Sequence, residues 1–157
     1  MPEFVIHSLQ VCGGELAITP IPGRTRHYYT DWLRLEAWGP ALVISMTTQA
    51  ELERKGSGSL GTDLVNAGIR WLHCPVADFG VPDRGWDWAP VRDEALSVLG
   101  QGKRVLVHCF GGCGRSGMMC LRLMIAAGED AETALARLRK VRPCAVETEA
   151  QMGWAAG

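Results

Sequence analysis

An α/β fold, with a central, mostly parallel sheet of about four or five strands flanked by helices, is what the sequence predicts. Three observations carry that reading. Short apolar runs alternate with stretches of helical spacing along the whole chain. Two of the runs, A-L-V-I-S-M at 41–46 and R-V-L-V-H at 104–108, are nearly unbroken, as strands buried on both faces are. The second run breaks at once into a glycine-rich turn and then a long apolar helix, so it sits where a parallel sheet changes layer. With 157 residues, 47% of them hydrophobic and 21% charged, residues 1–157 fit a single domain with a full core.

Residues 4–12 are expected to form a first strand and 16–21 a second, ending at Pro22-Gly23. Arg24, Thr25, Arg26 and His27 follow on a loop. They are either a solvated turn or a basic rim that receives anionic groups of a ligand. Trp32, Leu35 and Trp38 give 29–38 helical spacing, closed by Gly39-Pro40. After the strand at 41–46, Thr47 or Thr48 caps a short helix, and Glu51 stands three residues beyond Thr48 as in a capping box. The run 56–59 is a flexible loop, 60–67 a further helical turn, and 69–76 the next strand. The Gly- and Pro-rich stretch 77–90 cannot be regular throughout. A helix over 89–99 carries Pro90 in its first turn, and Gly100-Gln101-Gly102 leads to the strand at 104–108. The helix at 116–127 is apolar nearly all round and so belongs inside. Asp130 caps another, whose basic last turn is ended by Pro143, and 146–156 reads as a terminal helix.

Chemistry concentrates between Arg104 and Gly117, R-V-L-V-H-C-F-G-G-C-G-R-S-G. A strand that gives way to a glycine-rich turn and a helix aims backbone N–H groups at one point, where the helix N-terminus adds partial positive charge. Cys109 opens that turn and Arg115 closes it. A thiol facing amide dipoles and a guanidinium should lose its proton easily, and the same surroundings attract a phosphate. The bland alternative is a buried cysteine packed as a small hydrophobe.

His108, Cys109, Gly112, Arg115 and Ser116 match H-C-x-x-G-x-x-R-[S/T], and the chain thereby resembles the cysteine-dependent protein tyrosine and dual-specificity phosphatases. The resemblance implies the dual-specificity phosphatase fold and a phosphocysteine mechanism. Cys109 would attack phosphorus, Arg115 would fork two donors onto the phosphoryl oxygens, and Ser116 would hydrogen-bond the departing sulfur. Phe110, Gly111, Gly112, Cys113, Gly114 and Arg115 would hold the phosphate, with His108 fixing Cys109 from beneath. A general acid is needed for the leaving oxygen. The run P-V-A-D-F-G-V-P-D at 75–83 most resembles the cyclin-dependent kinase-associated phosphatase group, which implies Asp78 as that acid; Asp83 is the second candidate, and Asp87 shares the loop. Where relatives resemble A-I-Q-T, this chain has Ala145-Val146-Glu147-Thr148, so Glu147 replaces an amide that Gln151 keeps nearby.

The implied substrate is a phosphoprotein or phosphopeptide carrying phosphotyrosine and phosphoserine/threonine, in a shallow pocket. The variable loop positions are uncharged, unlike those of phosphoinositide-type relatives, which carry lysines there. Trp86 and Trp88 are read as anchors of their loop more than as a lip over the substrate. Cys74, on the strand leading to Asp78, is the favoured redox partner of Cys109, ahead of Cys113.

The formal net charge of −1 argues against nucleic acid or an anionic membrane as partner. The N-terminus lacks a cationic, apolar leader, and the most apolar window, 118–127, is too short to span a bilayer. A cytoplasmic monomer with Cys12, Cys74, Cys109, Cys113, Cys120 and Cys144 all reduced is expected, with no cofactor. A metal site at His108, Cys109 and Cys113 is disfavoured because adjacent strand residues point to opposite faces. Low-molecular-weight phosphatases, arsenate reductases and sulfurtransferases order their parts differently. A non-catalytic phospho-binding module would have lost Cys109, Arg115 or the acid, and a phosphatase of small-molecule phosphates is the remaining alternative.

Overall fold

A computed structural model describes residues 3–157. Its strands are β1 (His7–Val11), β2 (Gly14–Thr19), β3 (Leu42–Ser45), β4 (Arg70–His73) and β5 (Arg104–His108). They form one sheet in the order β1-β2-β5-β3-β4, with β1 antiparallel to β2 and every other pairing parallel. The helices are α1 (Tyr28–Trp38), α2 (Gln49–Arg54), α3 (Leu60–Asn66), α4 (Ala89–Gly100), α5 (Gly114–Ala126), α6 (Ala131–Val141) and α7 (Glu149–Ala156). The predicted α/β sheet and its flanking helices are therefore present.

Strand β5 lies in the middle, and its alternation divides the core. Leu106, with Ala17 and Val43 beside it, faces Leu35, Leu52, Leu60 and Leu64 of α1, α2 and α3. Val105 and Val107 face the opposite way, onto Ala95, Leu99, Met119, Leu123 and Leu138 of α4, α5 and α6. Leu106 is fully buried, so truncating it to alanine would cost about 2–5 kcal/mol. With both faces covered, the one open route to β5 is its carboxyl end, where parallel sheets of this kind bind ligands.

Both N-terminal strands shift by a few residues from expectation, and three further boundaries differ for physical reasons. β4 stops at His73 rather than 76, because Pro75 has no N–H for the ladder. The chain still follows β3, through Cys74 N–H to Ser45 O and Val76 N–H to Met46 O, and leaves the sheet only at Ala77. Helix α5 starts at Gly114, with Gly117 N–H donating to Cys113 O, so it begins inside the glycine-rich turn. Helix α7 starts at Glu149 because Val146 takes φ +67° and Thr148 forms a capping box with Gln151.

Candidate active site

The turn from Cys109 to Gly114 joins β5 to α5, and every one of its carbonyls from 109 to 113 is taken by the scaffold. His108 Nδ1 lies 3.2 Å from Cys109 O. Ile21 N–H donates to Phe110 O at 3.0 Å. Arg142 donates through Nη2 to Gly111 O and through Nε to Gly112 O, both at 2.9 Å. The N–H groups of Gly117 and Val146 both reach Cys113 O. A trans peptide sets its C=O and the following N–H in opposite directions, so tying these carbonyls to the scaffold turns the next amides the other way. Among the described residues, no amide N–H from Phe110 through Ser116 has an acceptor. Gly112, Gly114, Arg115 and Ser116 are buried residues, and a buried donor left unpaired costs about 1–3 kcal/mol, so the loop stores a demand for an anion. Gly112 is required by the bend: its φ is +73°, and a Cβ would fall 2.6 Å from Pro20 N and Thr19 C.

Cys109 is 2% exposed, and its Sγ lies 3.0 Å from Ser116 Oγ, the partner that the motif implied. His108 is fully buried. Its Nε2 sits 2.6 Å from Ser45 Oγ, which also receives the Trp71 Nε1–H at 2.9 Å. The tautomer that uses both ring nitrogens has Ser45 donating to Nε2 while Nδ1–H donates to Cys109 O. Burial lowers the His108 pKa to about 4, which keeps the ring neutral, as this tautomer needs.

Arg115 is 1% exposed although it carries a full charge. Its two terminal nitrogens grip the Glu51 carboxylate in a fork, both at 2.8 Å. Nη1 also donates to Val76 O at 2.8 Å, and Nη2 lies 3.2 Å from Asp78 Oδ1. The Nε–H is buried with no partner among the described residues. Burial opposes the charged form, but Glu51, the Cys109 sulfur and Asp78 together push the Arg115 pKa above its usual range. Burial would likewise raise Glu51, yet its bonds to Arg115 and to Thr48 N–H bring it down to about 2. Glu51 thus fulfils two roles: N-terminal box residue of α2, with Thr48 as the cap, and anchor of the guanidinium.

Asp78 opens the irregular stretch after β4, half exposed, with Oδ1 accepting from Phe79 N–H at 3.0 Å. Phe79 takes φ +61°, and Gly80 N–H closes a turn on Ala77 O. Gln151 binds this stretch to the rest of the site. Its Nε2 donates to Gly80 O at 3.2 Å, while its Oε1 accepts from the N–H groups of Glu147 and Thr148. Its side chain stands over the catalytic turn, since a Cβ on Gly114 would meet Gln151 Oε1 at 2.8 Å. Asp83 and Asp87 lie farther along; Asp83 O accepts from Trp86 N–H and Asp87 Oδ1 from Ala89 N–H, and neither is paired with Arg115. Trp86 stacks on Trp154, and Trp88 meets the same ring edge-on, so both anchor the loop to α7. Arg122 adds its guanidinium over Trp88 and Trp154, at 4.4 and 4.5 Å from their centroids.

Two expectations change. Cys113 and Cys144 are joined in a disulfide across 31 positions, so the thiols are not all reduced and Cys113 is not free to pair with Cys109. No local pattern signals this pairing, since contact between the Cys109–Gly114 turn and the loop after α6 is a tertiary fact. Cys74 is free and buried, and burial raises its pKa to about 11. Charge reaches the turn from outside its own sequence, in part from the run offered above as a basic rim: the Phe110 ring has Arg24, Arg54 and Lys55 at 5.4, 5.7 and 5.3 Å from its centroid.

Glu51, Gln151 and Arg142 were missed as parts of the site. Glu51 was legible only as a helix-start residue, Gln151 only as an amide kept near Glu147, and Arg142 only as a favourable charge at the end of α6.

Comparisons agree with this geometry. The family model described as cyclin-dependent kinase inhibitor 3 matches residues 14–135. Cyclin-dependent kinase inhibitor 3 of Mus musculus is 30% identical over 137 residues, covering 83% of this chain and 64% of the mouse protein; the chain thus spans under two thirds of that relative's length. Tk-PTP in its active form superposes with a TM-score of 0.74 at 28% identity, over 96% of this chain and 94% of the other. Kinase associated phosphatase with serine at its catalytic cysteine gives 0.85 at 24% identity, over 99% and 93%, and establishes likeness of fold. Among the described residues no helix is long and apolar enough to cross a membrane. The chain belongs to the cyclin-dependent kinase inhibitor 3 family.

Proposed function

We propose that the chain is a protein phosphatase that hydrolyses phosphotyrosine and phosphoserine/threonine monoesters through a phosphocysteine. The observation that carries this reading is the set of unpartnered amides from Phe110 through Ser116, beside a buried cysteine and a buried arginine. A phosphoryl group offers three equatorial oxygens to such donors, and preorganised donors of this kind stabilise charge as it develops. The names of the relatives agree with it: one is a kinase associated phosphatase with a catalytic cysteine.

In the first step Cys109 Sγ attacks phosphorus and the ester P–O bond breaks. Asp78, as the acid, gives its proton to the leaving oxygen. Its contact with Arg115 Nη2 keeps it at the mouth of the turn, and an incoming phosphoryl oxygen takes that place on the guanidinium. In the second step water attacks phosphorus, Asp78 takes the water's proton, and the S–P bond breaks to give inorganic phosphate. Ser116 Oγ, 3.0 Å from Sγ, supports the departing sulfur anion. Glu51 holds Arg115 in the orientation this requires.

The test is turnover of phosphotyrosyl, phosphoseryl and phosphothreonyl peptides and of p-nitrophenyl phosphate by wild-type protein and by Cys109→Ser. Wild type should release inorganic phosphate and Cys109→Ser should not, while still binding the peptides. Turnover by Cys109→Ser at the wild-type rate would remove the cysteine from the mechanism.

A further inference from the structure

Four cations gather on one side of the catalytic turn without a counter-charge. Arg24 and Arg26 come from the loop after β2, Arg54 and Lys55 from the end of α2. Three of them face the ring of Phe110, the residue next to the nucleophile. Among the described residues none of the four side chains is in an ion pair or a hydrogen bond to a protein acceptor, whereas Arg34, Arg70, Arg92, Arg104, Arg115 and Arg137 are all paired with carboxylates. Arg26, Arg54 and Lys55, with Tyr28, Gly56 and Phe110, line an open cleft of about 440 Å³. Like charges brought together over a polarisable ring, with no anion of their own, make a site for an anion from outside.

We propose that this cleft is a second anion subsite, which selects phosphopeptides with acidic side chains, or a second phosphorylated residue, close to the phosphoresidue being cleaved. The inference rests on the phosphatase reading and deepens it. Phe110 follows Cys109 directly, and three of the cations stand within 5.7 Å of its ring centroid, so the subsite adjoins the nucleophile at the reach of a few residues of peptide. An extended peptide advances by about 3.3 Å per residue. Further anionic groups of a peptide substrate therefore find their cations in this cleft. The turn itself supplies no cation for them, because Phe110, Gly111, Gly112, Cys113 and Gly114 are uncharged.

Matched phosphopeptides test this. They are identical but for glutamate or glutamine at the second and third positions on both sides of the phosphoresidue. They would be assayed with p-nitrophenyl phosphate on wild type, on Arg54→Ala/Lys55→Ala and on Arg26→Ala; dissociation constants would also be measured on Cys109→Ser, with and without the two α2 substitutions. Wild type should favour the acidic peptide by about tenfold or more in kcat/KM at low salt, and the double variant should keep p-nitrophenyl phosphate turnover while losing most of that preference. Arg26→Ala should lose part of it, which guards against a folding defect in the α2 variant. Equal rates for the two peptides in wild type, or a preference that survives in both variants, would overturn the subsite. Faster turnover of a soluble inositol bisphosphate than of the acidic peptide would overturn the assignment to peptides. Absence of p-nitrophenyl phosphate turnover in wild type would count against the phosphatase reading instead, and the affinities measured on Cys109→Ser would still decide the subsite.

Discussion

The Cys109–Gly114 turn and the loop of Asp78, proposed above as phosphoryl cradle and acid, meet at Arg115 and are built in opposite ways. Between Cys109 and Cys113 every carbonyl is bonded to the scaffold, two of them to Arg142, and Gly112 sits where only glycine fits. The loop from Ala77 to Trp88 is mostly exposed and is held by few bonds: Val76 O to Arg115 at its start, Gly80 O to Gln151 next, then the Trp86 and Trp88 contacts with Trp154. A cradle for a transition state must not reorganise when charge arrives, so its donors are fixed beforehand. An acid must follow the leaving group and let product out, so its loop is tied at few points. In the proposed mechanism the rigid and mobile halves of the reaction are thus given different amounts of scaffold.

Breaking the mobile half should have the largest effect short of removing Cys109. Asp78→Asn should lower kcat by about 10²–10⁴-fold with little change in KM, and Asp83→Asn should stay near wild type. Equal losses in the two would move the acid to Asp83. Breaking the rigid half from outside comes next. Arg142→Ala frees Gly111 O and Gly112 O without touching substrate, and should weaken phosphate and tungstate inhibition by about tenfold. A variant with unchanged inhibition constants would mean that the turn holds its shape without that clamp.

The smallest effect is on stability and sharpens the same contrast, because the groups that titrate under the turn are buried in the rigid half. The fold favours neutral His108, whose pKa falls from 6.5 to about 4. That contribution is complete above about pH 6.5 and is lost as the pH falls toward 4. The fold favours charged Glu51, whose pKa falls from 4.5 to about 2, so its contribution is complete above 4.5 and is lost as the pH falls through 2. Thermal unfolding from pH 7.5 to 3 should therefore show Tm falling in two stages. His108→Asn should remove the upper stage and Glu51→Gln the lower; a flat Tm down to pH 5 in wild type would contradict the upper assignment.

The sheet was legible because strands buried on both faces advertise themselves, as L-V-I-S and R-V-L-V-H do. Cys109, Arg115 and Ser116 were legible because seven or fewer positions and one turn bring them together. Asp78 was legible by resemblance, and its contact with Arg115 places it beside the turn where Asp83 is not. What escaped was made by tertiary contact alone. Glu51 lies 64 positions from Arg115, and a capping box already accounted for its presence. The Cys113–Cys144 bridge pairs cysteines on elements whose approach no local pattern records. Around Phe110, Arg24 comes from the run that the sequence offered as a basic rim, whereas Arg54 and Lys55, at the end of α2, carried no such signal.

The most direct test of the account is to titrate Cys109→Ser with tungstate while following backbone amide resonances. Saturable shifts concentrated on residues 110–116, lost in Arg115→Ala, are the predicted result. Binding that leaves those amides unmoved, or shifts confined to another surface, would contradict the claim that this turn is the phosphoryl cradle.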